Sequence, residues 1–188
     1  MKMKLILLVL ACCAVSNKAF CAVDVYMMVS GYKNVTSSKQ FPNYFELIST
    51  SQTNKGCDII TGSCNPVGGD FIVQLPITTL AVGAQYKLFR SADSVSFASV
   101  DIAYALANSG ETELVFYQVH LTNVRVTSIV ENGAPDNSAT VTQQIAFSYQ
   151  TISWKYVPNN GSTATGSPIT GCWNVKSAGS CTFTDFPF

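Results

Sequence analysis

The chain has 188 residues, of which 47% are hydrophobic and only 12% charged, with eleven basic side chains, eleven acidic side chains and one histidine. This length suits a single domain with a substantial core. The balanced charge leaves no basic footprint for nucleic acid and no polybasic patch for a membrane surface.

Met1-Lys2-Met3-Lys4 is a short basic start, Leu5 to Val15 is an unbroken apolar run, and Ser16-Asn17-Lys18 ends it. This is the order of regions in a secretory signal peptide. A bilayer span needs roughly 20 apolar residues, so no stable membrane span is expected here. Small residues at Ala19 and Cys21 place the cut after Cys21. Residues 1–21 are therefore assigned as a signal peptide, and 22–188 as one secreted domain, periplasmic or extracellular. Val9-Leu10-Ala11-Cys12 loosely resembles a lipobox, but its apolar run would be very short, so a lipoprotein ranks second. Removing Lys2, Lys4 and Lys18 leaves eight basic against eleven acidic side chains, a net charge of −3.

Past the cut, Val23 to Val29 is rich in β-formers and stops at Ser30-Gly31, and Tyr44 to Ser51 is a second strand candidate. Asp58 to Gly69 is turn-rich, and Asp70 to Leu75 reads as a third strand closed by Pro76. Val82 to Ala92 is the one stretch with a helical look. Ser94 to Ala107 alternates as a strand does, and Asn108-Ser109-Gly110 turns the chain. Glu113 to Val130 is a long strand carrying Val115, Tyr117, Val119 and Leu121 on one face. After a loop at 132–137, Ala139 to Val157 is the last long strand. Its large apolar residues run Ile145, Phe147, Tyr149 and then change parity to Ile152, Trp154, Tyr156, which predicts a β-bulge at Gln150-Thr151. Many strands and one short helix predict an all-β fold, a barrel or sandwich, and closure would remove the strand edges.

Four cysteines remain in the exported part: Cys57, Cys64, Cys172 and Cys181. An even count in an exported chain reads as disulfides. Pairing Cys57 with Cys64 and Cys172 with Cys181 staples one Gly/Ser-rich loop each and is favoured; a cross-link between the two loops stays open. Structural zinc usually has two to four residues between paired ligands, against six and eight here, and no histidine lies near either pair.

Chemistry finds little to work with. His120 lies within a strand beside Gln118 and Thr122, and reads as a satisfied strand histidine rather than a base. No Gly-x-Ser-x-Gly elbow is present. Ser37-Ser38 and Ser162 read as turn chemistry. Glu111 and Glu113 read as a solvated pair beside a turn, and Asp58 and Asp70 match no calcium-loop spacing. Trp154 and Trp173, with Tyr149 and Tyr156, read as core. No catalytic residue, cofactor or metal site is expected.

Several segments resemble a known family in order and spacing. Ala22-Val23-Asp24-Val25-Tyr26-Met27 is similar to the opening strand of the Hcp (haemolysin-coregulated protein) family, the tube protein of type VI secretion. Val29-Ser30-Gly31-Tyr32-Lys33 resembles its "I-D-G-I-K-G" turn, and Phe45-Glu46-Leu47-Ile48-Ser49 its "E-I-D-V-x-S" segment. The run from Phe116 to Ser128 resembles "Y-x-K-I-T-L-E-D-V-L-V-S-S". Ala146 to Tyr149 with Ile152 to Tyr156 resembles "L-x-F-x-K-I-x-W-x-Y", and Gly171-Cys172-Trp173-Asn174-Val175-Lys176 the closing "G-W-D-x-K". The resemblance implies a closed β-barrel of long antiparallel strands with one flanking helix. It also implies a homohexameric ring that stacks into a tube, effectors as cargo, and no chemistry. Members usually lack a signal peptide and paired cysteines, so the expectation is an exported variant. The competing expectation is a monomeric secreted binding module acting on a host or envelope partner. A ring predicts apolar residues on both faces of the long strands, as in Val115/Tyr117/Val119/Leu121 and Leu114/Phe116/Val124/Val126.

Overall fold

The computed structural model describes residues 22–32, 40–54, 68–77, 96–107, 112–133, 141–183 and 185–186. The predicted signal peptide (residues 1–21), the stretch 82–92 predicted to be helical, and Cys57 and Cys64 lie outside the described residues. Among the described residues, every helix or strand element is a strand: β1 (Val23–Val29), β2 (Phe45–Leu47), β3 (Ser49–Asn54), β4 (Gly68–Pro76), β5 (Phe97–Leu106), β6 (Leu114–Gly133), β7 (Val141–Ser148), β8 (Thr151–Tyr156), β9 (Ile169–Asn174) and β10 (Gly179–Ser180). The all-β class follows. β1 has the boundaries that its sequence predicts.

All pairings between these strands are antiparallel. One path runs β10-β9-β8-β6-β5-β1-β2, and a second joins β6 to β7, β7 to β4 and β4 to β3. Two chain segments pass between the paths. The first is the predicted strand at 44–51, which breaks at Ile48: β2 pairs with β1, β3 pairs with β4, and the Ile48 amide donates to the Gln74 carbonyl at 2.7 Å. The second is the predicted strand at 139–157, which bends at Tyr149-Gln150 into β7 and β8, both running along β6. The expected closed barrel is thus not an unbroken ring of ladders. The circuit from β6 round to β7 passes from one path to the other through covalent chain at Ile48.

The bend at Tyr149-Gln150 is not the bulge that its parity switch predicts. Register against β6 is the same on both sides of it, with Arg125 opposite Ser148 and Thr122 opposite Thr151. Both strands instead turn together: inward positions step from Leu121 to Val124 on β6 and from Tyr149 to Ile152 opposite. Asn123 supplies the turn with φ of +49°, a left-handed conformation that asparagine tolerates better than most side chains. The bulges lie elsewhere on β6, where register shifts at Phe116 and at Thr127. Each moves one residue out of step and swaps the face that follows.

These parity changes decide where the core lies. Met27, Val29, Phe45, Val73, Leu75, Ile102, Leu121, Ile145, Phe147 and Ile152 are almost wholly buried in one cluster that draws on both sheet paths. Removing each such side chain from water contributes about 1.5–3 kcal/mol. Val124 and Val126 join this same cluster as Val119 and Leu121, so they are not on an opposite, outward face. Val115, beyond the Phe116 bulge, packs instead on a smaller cluster of Tyr26, Phe41, Tyr44, Ala103 and Ala105. There the 40–44 turn folds over the outside of β1 and β5, with the Tyr26 and Phe41 rings stacked at 4.3 Å.

Candidate functional site

Three surfaces of this frame carry polar or exposed aromatic groups. The first crosses β5, β6 and β8 on the outer face, where register sets Asp101 opposite His120 and His120 opposite Ser153. Asp101 is fully buried. Its Oδ2 accepts from the Ser99 hydroxyl at 3.2 Å, and its Oδ1 pairs with His120 Nδ1. Phe186 lies edge-on to the imidazole at 5.5 Å, and the Lys155–Asp185 ion pair at 2.7 Å holds that tail in place. Asp, His and Ser stand in the order of an acyl-transfer relay. Ser153, however, is 4% exposed and Phe186 covers the ring, so the arrangement chiefly satisfies a buried carboxylate. His120 is a satisfied strand histidine, as its sequence setting predicts; its partner was invisible because nothing local announces cross-strand register. Burial, reinforced by the Asp101 charge, pushes the nearby Tyr44 phenol up.

A second polar group closes the end of β1. The Tyr26 hydroxyl donates to Glu113 Oε1 at 3.0 Å, while Gln40 exchanges two hydrogen bonds with the Glu113 backbone. Burial raises the Glu113 carboxyl above its ordinary value. Glu111, weighed with Glu113 as a carboxylate pair, and Asp58, weighed with Asp70 as a calcium ligand, lie outside the described residues. Among the described residues no three His, Cys, Asp or Glu side chains converge on a metal-sized site. No helix among them is long and apolar enough to cross a membrane.

The second surface is the sheet extension formed by β8, β9 and β10. Cys172 and Cys181 are joined by a disulfide with Cα atoms 5.1 Å apart, tying β10 to β9. The two tryptophans part company here. Trp154 packs against the core, and a Cβ on Gly171 would sit 3.5 Å from its ring. Trp173 is 43% exposed, in correction of its reading as core. Tyr149 is buried, whereas Tyr156 is exposed beside Ile169, its cross-strand partner.

The third is a cleft of about 430 Å³ at the bend, lined by Asn123, Arg125, Ser148, Tyr149, Gln150, Val175 and Lys176. The Asn123 amide donates to Gln150 Oε1 at 2.6 Å, and the Val175 amide donates to the Gln150 carbonyl at 2.8 Å. Burial raises the Tyr149 phenol, which accepts from Gln52 at 3.1 Å.

Residues 74–156, from the end of β4 to the end of β8, match the family described as "Type VI secretion system effector, Hcp". Over that segment the chain is similar to the Hcp family. Comparison with curated proteins by sequence finds no match. Solved structures of type VI secretion proteins share the fold at low identity. Hcp1 from Salmonella typhimurium superposes with a TM-score of 0.66 at 14% identity, covering 85% of this chain and 99% of that one. A structure described as a type six secretion system protein gives 0.67 at 19% identity, covering 85% and 100%. A type VI secretion system effector from Yersinia pestis gives 0.60 at 14%, covering 80% and 99%. The Hcp match spans the bend at Asn123 and the Asp101–His120–Ser153 register but not β9 and β10, which carry the disulfide and Trp173.

Proposed function

We propose that this chain is a structural subunit of the type VI secretion kind, a tube or effector protein that works by assembly and does no chemistry. The observation that carries this reading is the Hcp fold, matched over nearly the full length of the related structures. Exposed Tyr156, Ile169 and Trp173 support it, because one sheet extension bears large apolar side chains that a neighbouring subunit would cover. In a hexameric ring each subunit presents that extension to a different patch on the next, a heterologous contact that closes. We further propose cleavage after Cys21, export, and a second disulfide between Cys57 and Cys64.

Negative-stain imaging of the oxidised protein tests the reading. Annular particles of constant diameter with a central pore are expected, and replacing Ile169 and Trp173 by Asp should disperse them. Fields of particles no larger than one chain would overturn it. One observation favours the alternative, a monomeric secreted binding module: Phe186, Phe41 and Tyr44 of the chain itself already cover much of the outer face of β1, β5 and β6. Secreted effectors, host proteins and envelope components are the partners open to either form.

A further inference from the structure

The cleft at the bend lies where two strands leave one sheet path for the other, and two of the chain's eleven basic side chains line it. Arg125 rises from β6, and Lys176 from the turn between β9 and β10. Among the described residues neither has an ion-pair partner, the two ion pairs there being His120–Asp101 and Lys155–Asp185. No carboxylate lines the cleft. Asn123, Ser148, Tyr149, Gln150 and Val175 complete the lining.

This surface is built firmly. Asn123 holds φ of +49° in mid-strand, a conformation that costs about 1–2 kcal/mol for most residues and collects at ligand sites. Its side chain is engaged by Gln150, and the Gln150 backbone anchors Val175. The turn bearing Lys176 is braced by the Asn174 side chain, which accepts from the Ser177 amide at 3.1 Å, and by the Cys172–Cys181 disulfide. A guanidinium fork presents paired donors that match the oxygens of carboxylate or phosphate, and a nearby ammonium adds charge without demanding geometry.

We propose that this cleft binds a small anionic molecule, with Arg125 and Lys176 holding its phosphate or carboxylate group. The site is separate from the exposed apolar residues of β8 and β9 and stands whether or not the chain assembles. Two exposed cations in a shallow cleft give millimolar affinity, and salt weakens it.

The test is a titration of the full chain, purified as it is processed and with disulfides oxidised, followed by backbone amide NMR shifts. Glucose 6-phosphate, glucuronate and glucose serve as probes up to about 10 mM, the range in which millimolar binding saturates. Saturable shifts at Asn123, Gln150 and Lys176 with either anion, and none with glucose, are expected. The tighter of the two anions identifies the preferred group. Arg125→Gln and Lys176→Gln should each weaken binding about tenfold, equivalent to 1.4 kcal/mol. Reducing the disulfide should weaken it as well, by loosening the wall that holds Lys176. Absence of saturation with both anions, equal shifts with glucose, or unchanged affinity in both variants would overturn the proposal.

Discussion

The two halves of β6 have similar sequences and opposite fates. Before Asn123, the strand is flanked by β5 on one side and β8 on the other, and Val119 and Leu121 are almost wholly buried. After Val124, which still pairs with Phe97 of β5, ladder pairing among the described residues comes from β7 alone, and burial fades until Val130 stands 45% exposed. A valine or isoleucine is therefore core or surface according to how many strands flank it. The junction is the one residue of β6 whose backbone turns left, and the cleft opens there.

The largest break in that comparison is expected from Leu121→Ala, which removes a fully buried side chain from the doubly flanked half and should cost about 3–4 kcal/mol in urea unfolding. His120→Ala comes next. It leaves the Asp101 carboxylate buried without its partner, at about 3 kcal/mol, and should also free the tail around Phe186, read as faster amide exchange there. Asn123→Ala tests the junction. A β-carbon disfavours positive φ, so a loss of about 1–2 kcal/mol is expected, while Asn123→Gly should stay close to the parent. Val130→Ala, in the singly flanked half, should change stability by no more than about 0.5 kcal/mol.

The smallest effect is a pH dependence at the start of β6. Folding raises the Glu113 carboxyl above its unfolded value, so the fold favours its protonated form. That contribution is complete below the unfolded value and is lost as pH rises through the folded one. Glu113→Gln, which can still accept from Tyr26, should therefore melt slightly higher than the parent at neutral pH. The difference should vanish as pH falls below the ordinary carboxylate range.

Much of this was legible beforehand, for identifiable reasons. β1 and β5 alternate cleanly between turns, and their strands fall where the pattern puts them. The parity switch at Gln150-Thr151 was visible too, but a bulge and a shared bend leave the same mark on one strand. Only the matching step from Leu121 to Val124 on the paired strand separates them. The same step explains why Leu114, Phe116, Val124 and Val126 do not form one outward face: the bulge at Phe116 and the turn at Asn123 put them on different sides. The break at Ile48 has no local signal, because β-formers surround it and the change of partner is a matter of distant strands. Trp173 and Trp154 look alike in sequence; one packs over Gly171 and the other falls on the outermost ladder. Asp101 with Ser153, and Arg125 with Lys176, carry no local sequence signal, because only register and the bend bring each set together.

Absolute mass by light scattering behind size exclusion, on the chain from Ala22 to Phe188 with its disulfides oxidised, tests the central claim most directly. A ring-forming subunit predicts the mass of six chains. The mass of a single chain across the concentration range would contradict assembly and leave a β-fold used alone.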